Sequence, residues 1–184
     1  MFAFSVDNWE RPAAEVRILL ELMARVLATE LPRLQEAGVR LHVLGDVSRL
    51  PESLRTELQS AVAATCSNTT LHLSIAISYS GRADVAAAAR LLAAAAAAGT
   101  IEPAAIDVMA VASRLGTAHL PSELREPDLL VRTSGEKRLS DFLLWEMAYT
   151  ELYFTDVHWP SFDRAALAAA LVDYAARTRR FGVH

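Results

Sequence analysis

Arg132 and Arg138 stand six residues apart, with Thr133, Ser134 and Gly135 between them and Ser140 just after. Side chains of these types bind anions. Arginine's planar fork donates paired hydrogen bonds to phosphate oxygens and keeps its charge at any working pH. Thr133, Ser134, Ser140 and an exposed amide at Gly135 would add neutral donors. The apolar run Leu129, Leu130, Val131 before this cluster and the apolar stretch 142–149 after it predict a buried strand delivering a diphosphate clamp, in a loop anchored by core on both sides. Ligands of open α/β sheets bind at such places, beyond the carboxyl ends of strands. Local sequence also leaves open an Arg/Glu-rich surface loop whose charges are merely solvated.

A second polar cluster, Ser5, Asn8, Trp9 and Arg11, follows the short apolar start at residues 1–4. It is expected at the same carboxyl edge as Arg132 and Arg138, so that both clusters face one pocket. The plain alternative is that Asp7 or Asn8 caps the helix that follows and Trp9 is core. Glu151 opens a strand after an apolar stretch, where an unpaired carboxylate would be costly. Mg²⁺ is commonly held by one or two carboxylates plus substrate phosphates, which makes Glu151 a candidate metal contact. An ion pair with one of the clamp arginines is the competing reading. Near the C-terminus, Arg177, Arg179 and Arg180 could do no more than complement a helix dipole.

These clusters need a scaffold, and the pattern supplies one. Pro12 opens a helix whose apolar positions include Val16, Leu20, Leu27 and Leu34, ending at Gly38. A strand is predicted over 39–44, a helix over 51–65, and a second strand over 71–77 from alternating apolar and polar residues. Tyr79-Ser80-Gly81-Arg82 closes that strand, and an alanine-dominated helix runs to Gly99. Further helical stretches are predicted over 103–115, 139–149 and 163–178, with strands at 129–131 and 152–154. Strand and helix alternate, which predicts an α/β fold with a mostly parallel sheet flanked by helices. No repeat or linker is visible, and 184 residues suit a single domain over 1–184.

A net charge of −4 and an isoelectric point near 5.7 argue against a broad basic face, and nucleic acid is set aside. The one cysteine, Cys66, has no internal partner, and His42, His72, His119, His158 and His184 lack zinc-ligand spacing. A cytoplasmic protein is expected, with at most peripheral membrane contact, because the small-residue run 91–98 is too short to span a bilayer.

Taken together, Phe4-Ser5-Val6-Asp7-Asn8-Trp9-Glu10-Arg11-Pro12, Tyr79-Ser80-Gly81-Arg82, Arg132 to Ser140 with Trp145 and Glu151, and Arg179-Arg180-Phe181-Gly182 resemble, in order, the motifs of the cis-prenyltransferases. The resemblance implies an enzyme that condenses isopentenyl diphosphate with an allylic diphosphate such as farnesyl diphosphate, using Mg²⁺, to give a Z-polyprenyl diphosphate. It implies that Arg132, Arg138 and Ser140 bind isopentenyl diphosphate, and that Glu151 contacts the metal from a dimer partner. Arg180 and Gly182 would complete that site across the interface. Ser5, Asn8 and Arg11 would lie beside the reacting carbons, Asn8 helping to position the proton to be lost, with Phe4 and Trp9 as substrate contacts.

The chain departs from the family pattern in three places. Val6 stands where a hydroxyl residue is commoner, and Ser80 replaces the first of two glycines before Arg82. The aspartate motif of the family's first strand does not occur, so the first strand and helices of that fold are expected to be absent here. Three readings follow: a homodimeric enzyme with an earlier start, a heterodimer with a second prenyltransferase-like chain that brings the aspartate, or a non-catalytic partner subunit that stabilises an active one.

Overall fold

A computed structural model describes residues 1–179. The expected calls at Arg180 and Gly182 lie outside the described residues. Two compact units divide the chain, Met1–His119 and Leu120–His184.

In the first unit the order is strand β1 (Phe2–Ser5), helix α1 (Ala13–Glu36), strand β2 (Val39–Leu44), helix α2 (Glu52–Ala64), strand β3 (Leu71–Tyr79), helix α3 (Gly81–Ala97) and short helix α4 (Val108–Ala112). The strands pair in the order β1-β3-β2, both ladders parallel. Parallel pairing needs crossovers, and α1 and α2 supply them. Helix α1 buries Val16, Leu20 and Leu27, and α2 buries Leu54, Leu58 and Ala61, so both present an apolar stripe to Phe4, Leu41 and Ile77 of the sheet. Each large side chain sealed here contributes about 1.5–3 kcal/mol.

The second unit carries strand β4 (Leu129–Arg132), strand β5 (Glu151–Phe154) and helix α5 (Arg164–Ala175). The two strands form a parallel pair of their own, so the described strands fall into two sheets.

Three sequence expectations change. The helix expected over 103–115 is broken into a 3₁₀ turn, Pro103–Ala105, and α4. Strand β4 is half-buried along its length rather than buried. The helix expected over 139–149 folds as successive turns, because Ser140, Asp141 and Leu143 adopt φ values of 54°, 62° and 43°. Left-handed residues cannot continue a right-handed hydrogen-bond ladder, and short polar side chains such as Ser and Asp tolerate that conformation best.

Candidate active site loops

The loop after β1 is a 3₁₀ turn, Val6–Glu10, closed by a reciprocal pair of hydrogen bonds. The Asn8 amide donates to Ser5 Oγ at 3.2 Å, and the Ser5 amide donates to Asn8 Oδ1 at 2.9 Å. Asn8 therefore closes its own turn and does not cap α1, whose N-cap is Pro12 without a side-chain bond. Trp9 is half-buried. Its indole N–H donates to Ser78 Oγ at 3.0 Å, its ring meets Phe4 edge-on at 5.1 Å, and the Arg49 guanidinium lies 4.7 Å above it. Arg11 donates to Glu15 at 2.6 Å, an exposed pair one helical turn apart.

The sheet edge beneath this loop is tightly built. Ser78 is 1% exposed with φ 51°, and its carbonyl accepts the Asp46 amide at 3.2 Å. At Gly45, φ is 104° and a Cβ would stand 2.3 Å from the Ile77 carbonyl oxygen, so no other residue fits without moving the backbone. Beyond β3, Ser80 caps α3 through the Ala83 amide, and Asp84 accepts the Gly116 amide with both oxygens at 2.9 and 3.0 Å. Burial raises the Asp84 pKa, opposed by the Gly116 N–H and by Tyr79. Neither Ser78 nor Arg49 stood out in sequence, since a serine inside a strand pattern and an arginine after an Asp-Val-Ser turn carry no motif.

In the second unit, Arg132 ends β4 and the chain turns through Ser134 (φ 67°) and Gly135 (φ 70°). Two left-handed residues in succession point both amides at the neighbouring strand's continuation. Ser134 N–H donates to the Val157 carbonyl and Gly135 N–H to the Thr155 carbonyl, each at 2.9 Å, while Thr155 N–H returns to the Arg132 carbonyl at 2.9 Å. The Gly135 amide is thus committed to the backbone and is not the exposed donor expected. Arg132 is half-buried, whereas Arg138 is exposed and paired with Glu136. Ser140 is half-buried in one of the left-handed turns.

Glu151 opens β5 as expected, but its position in the ladder is informative. Leu129 pairs with Glu151 and Arg132 with Phe154, so Glu151 and Arg132 sit at opposite ends of the parallel pair. Three residues of strand separate them, about 10 Å along the axis. The two side chains therefore start from opposite ends of the strand pair. The competing reading, an ion pair with a clamp arginine, holds for a different arginine: Arg177 Nη1 donates to Glu151 Oε2 at 2.9 Å. Arg177 reaches Asp173 and the Leu152 carbonyl as well, and Arg179 meets Asp128 and the Tyr174 hydroxyl. Both arginines lie past the Ala176 cap of α5 and serve carboxylates rather than the helix dipole.

Among the described residues no group of three or more His, Cys, Asp or Glu could hold a metal. Glu151, the expected metal contact, would bring a single carboxylate to a cation site. That fits a hard cation whose remaining shell is substrate phosphate and water, as Mg²⁺ prefers. No described helix is long and apolar enough to cross a membrane.

The family described as "Putative undecaprenyl diphosphate synthase" matches residues 1–182. The chain is 48% identical over 183 residues to a (2E,6E)-farnesyl-diphosphate-specific ditrans,polycis-undecaprenyl-diphosphate synthase of Xanthomonas axonopodis pv. citri, covering 100% of this chain and 70% of that one. It is 47% identical over 182 residues to a chloroplastic dehydrodolichyl diphosphate synthase of Solanum lycopersicum, covering 99% and 58%. Among solved structures, lavandulyl diphosphate synthase from Lavandula x intermedia, in complex with dimethylallyl diphosphate, aligns with a TM-score of 0.93 and 36% identity over 98% of this chain and 77% of that one.

Proposed function

Because the chain belongs to the undecaprenyl diphosphate synthase family, we propose that it is a cis-prenyltransferase subunit that condenses isopentenyl diphosphate with an allylic diphosphate such as farnesyl diphosphate. Its relatives' specificity for farnesyl diphosphate supports that choice of acceptor. The family match over residues 1–182 supports treating the two units as one functional domain. It acts in the cytoplasm, with at most peripheral membrane contact.

In this reading the allylic carbon–oxygen bond breaks with its electron pair leaving on diphosphate, the terminal alkene carbon of isopentenyl diphosphate bonds to the allylic carbon, and a proton passes to the released diphosphate to leave a Z double bond. Arg132 and Arg138 hold the isopentenyl diphosphate, with Ser140 adding a hydroxyl. Arg138 exchanges Glu136 for the ligand. The Ser5–Arg11 turn, locked by Ser5, Asn8 and Trp9, lies beside the reacting carbons, where fixed dipoles cost no reorganisation during reaction. Phe4 and Trp9 give that side an apolar wall. Glu151 is the residue that would hold Mg²⁺, whose charge neutralises the diphosphate oxygens. Arg180 and Gly182 complete the isopentenyl site across a dimer interface.

The observation that carries this reading is the ladder register. Arg132 and Glu151 stand at opposite ends of one parallel strand pair, so a site using both is most simply made from Arg132 of one protomer and Glu151 of a second prenyltransferase-like chain. The test is condensation of labelled isopentenyl diphosphate with farnesyl diphosphate and Mg²⁺, followed by sizing of the product. Polyprenyl diphosphate containing Z units is the expected result. No turnover, together with stimulation of a second synthase chain, would instead make this a non-catalytic partner subunit.

A further inference from the structure

Arg177 lies between two carboxylates. Its Nη1 donates to Glu151 Oε2 at 2.9 Å, its Nε donates to Asp173 Oδ2 at 2.9 Å, its Nη2 also reaches Asp173, and Nη2 donates to the Leu152 carbonyl at 3.1 Å. The three side chains are between 27% and 46% exposed, so the pairs are neither sealed in the core nor fully screened. Glu151 belongs to strand β5, while Asp173 and Arg177 belong to helix α5 and the residues just past it. The guanidinium therefore ties the end of a helix to the start of a strand through two contacts, of which the Glu151 pair is the one a cation could compete for.

We propose that Arg177 is a latch on Glu151, a positioning residue that occupies the carboxylate until a divalent cation displaces it, with Asp173 as the seat to which it withdraws. This deepens the proposed function and rests on Glu151 being the metal contact. The geometry explains how such an exchange stays inexpensive. When Glu151 is taken, Arg177 keeps its bonds to Asp173 and to the Leu152 carbonyl, so no buried charge is left unpaired. Arg177 Nη1 holds Oε2, and a dication on the same carboxylate would face the positive charge of the guanidinium beside it, so the two occupancies are negatively coupled. Removing the second seat should have the opposite effect to removing the latch, which a merely structural arginine would not produce.

The test is Mn²⁺ binding followed by electron paramagnetic resonance of free Mn²⁺, a hard-cation probe in place of Mg²⁺. It is run on the whole chain with isopentenyl diphosphate but no allylic substrate, against the same diphosphate without protein, so that phosphate completes the shell and activity is not the readout. Arg177→Gln is expected to bind Mn²⁺ about fivefold more tightly or better, the scale of a modest coupling. Arg177→Lys should fall between, and it keeps the test usable if the glutamine variant folds poorly. Asp173→Asn should bind more weakly than wild type, and Glu151→Gln should erase every difference. If Glu151→Gln weakens binding while the Arg177 and Asp173 variants do not move it, the latch is wrong and the metal contact stands. If Glu151→Gln changes nothing, the metal contact fails and the latch fails with it.

Discussion

At the carboxyl end of β1, Ser5 and Asn8 exchange two neutral hydrogen bonds and Trp9 is fixed by Ser78, Phe4 and Arg49. In the second unit the cations are placed differently: Arg138 rests on Glu136, Arg177 on Glu151 and Asp173, and Arg179 on Asp128. The first arrangement rests mainly on neutral hydrogen bonds and ring packing, with the exposed Arg11–Glu15 ion pair at its end. The second is made of partly exposed ion pairs, weakened by solvent, which in the proposed function an incoming diphosphate or cation would replace. Pre-organisation and exchangeability are thus separated by chemistry. In the proposed function, neutral bonds hold the turn assigned to the reacting carbons, and charges held by carboxylates belong to the loop assigned to phosphate.

That contrast can be broken most forcefully at Arg132. Arg132→Ala should lower kcat/KM for isopentenyl diphosphate about a hundredfold, the scale of a lost charge-assisted contact of ~2–3 kcal/mol. The loss should shrink as salt rises in the wild-type comparison. An unchanged kcat/KM would remove the second loop from phosphate binding.

On the neutral side, Asn8→Ala deletes the acceptor of the Ser5 amide and should lower kcat about tenfold, with little change in KM for isopentenyl diphosphate and no salt dependence. A change confined to KM would mean that both loops work in the same way. Smaller still, Trp9→Phe removes the bond to Ser78 while keeping an aromatic ring, and thermal denaturation should show about 1 kcal/mol of lost stability.

A further effect, on stability rather than turnover, comes from a titrating group in the first sheet. Burial, then Arg40, His72 and His119, hold His42 below its ordinary value of 6.5, and its Nε2 lies 2.9 Å from His72 Nδ1. The unfolded chain takes up the proton near pH 6.5 while the folded one stays neutral. Stability is therefore full above that pH and falls as pH drops toward the folded value, by at most about 1.4 kcal/mol per unit. Asp84 has the opposite sign in a lower window, since its raised pKa favours the folded state only as pH falls toward 3.8. Melting curves at pH 7.5 and 5.5 should show a smaller drop in His42→Gln than in wild type. An equal drop would assign the acid sensitivity to other groups.

Much of the scaffold was legible because its signals are local. The strand at 39–44 and the helix over 51–65 follow from periodicity, and the structure places them at Val39–Leu44 and Glu52–Ala64. Residues 139–149 misled because apolar spacing there suits a helix, and nothing local announces left-handed conformations at Ser140, Asp141 and Leu143. The side chains of both loops could be named from their types. Their partners could not, since Trp9 to Ser78 and Glu151 to Arg177 span 69 and 26 residues. Placing Glu151 opposite Leu129 rather than beside Arg132 required the ladder register, which side-chain pattern does not give for so short a strand.

The central claim, that Arg132 and Glu151 serve one site only across two chains, is tested most directly by mixing inactive variants. Arg132→Ala and Glu151→Gln chains are each assayed alone and then after unfolding and refolding together. Half of randomly assorted two-fold dimers are hybrids with one intact site, so roughly a quarter of wild-type activity should return. Activity that stays at the level of the separate variants would contradict a shared site and return both residues to a single chain.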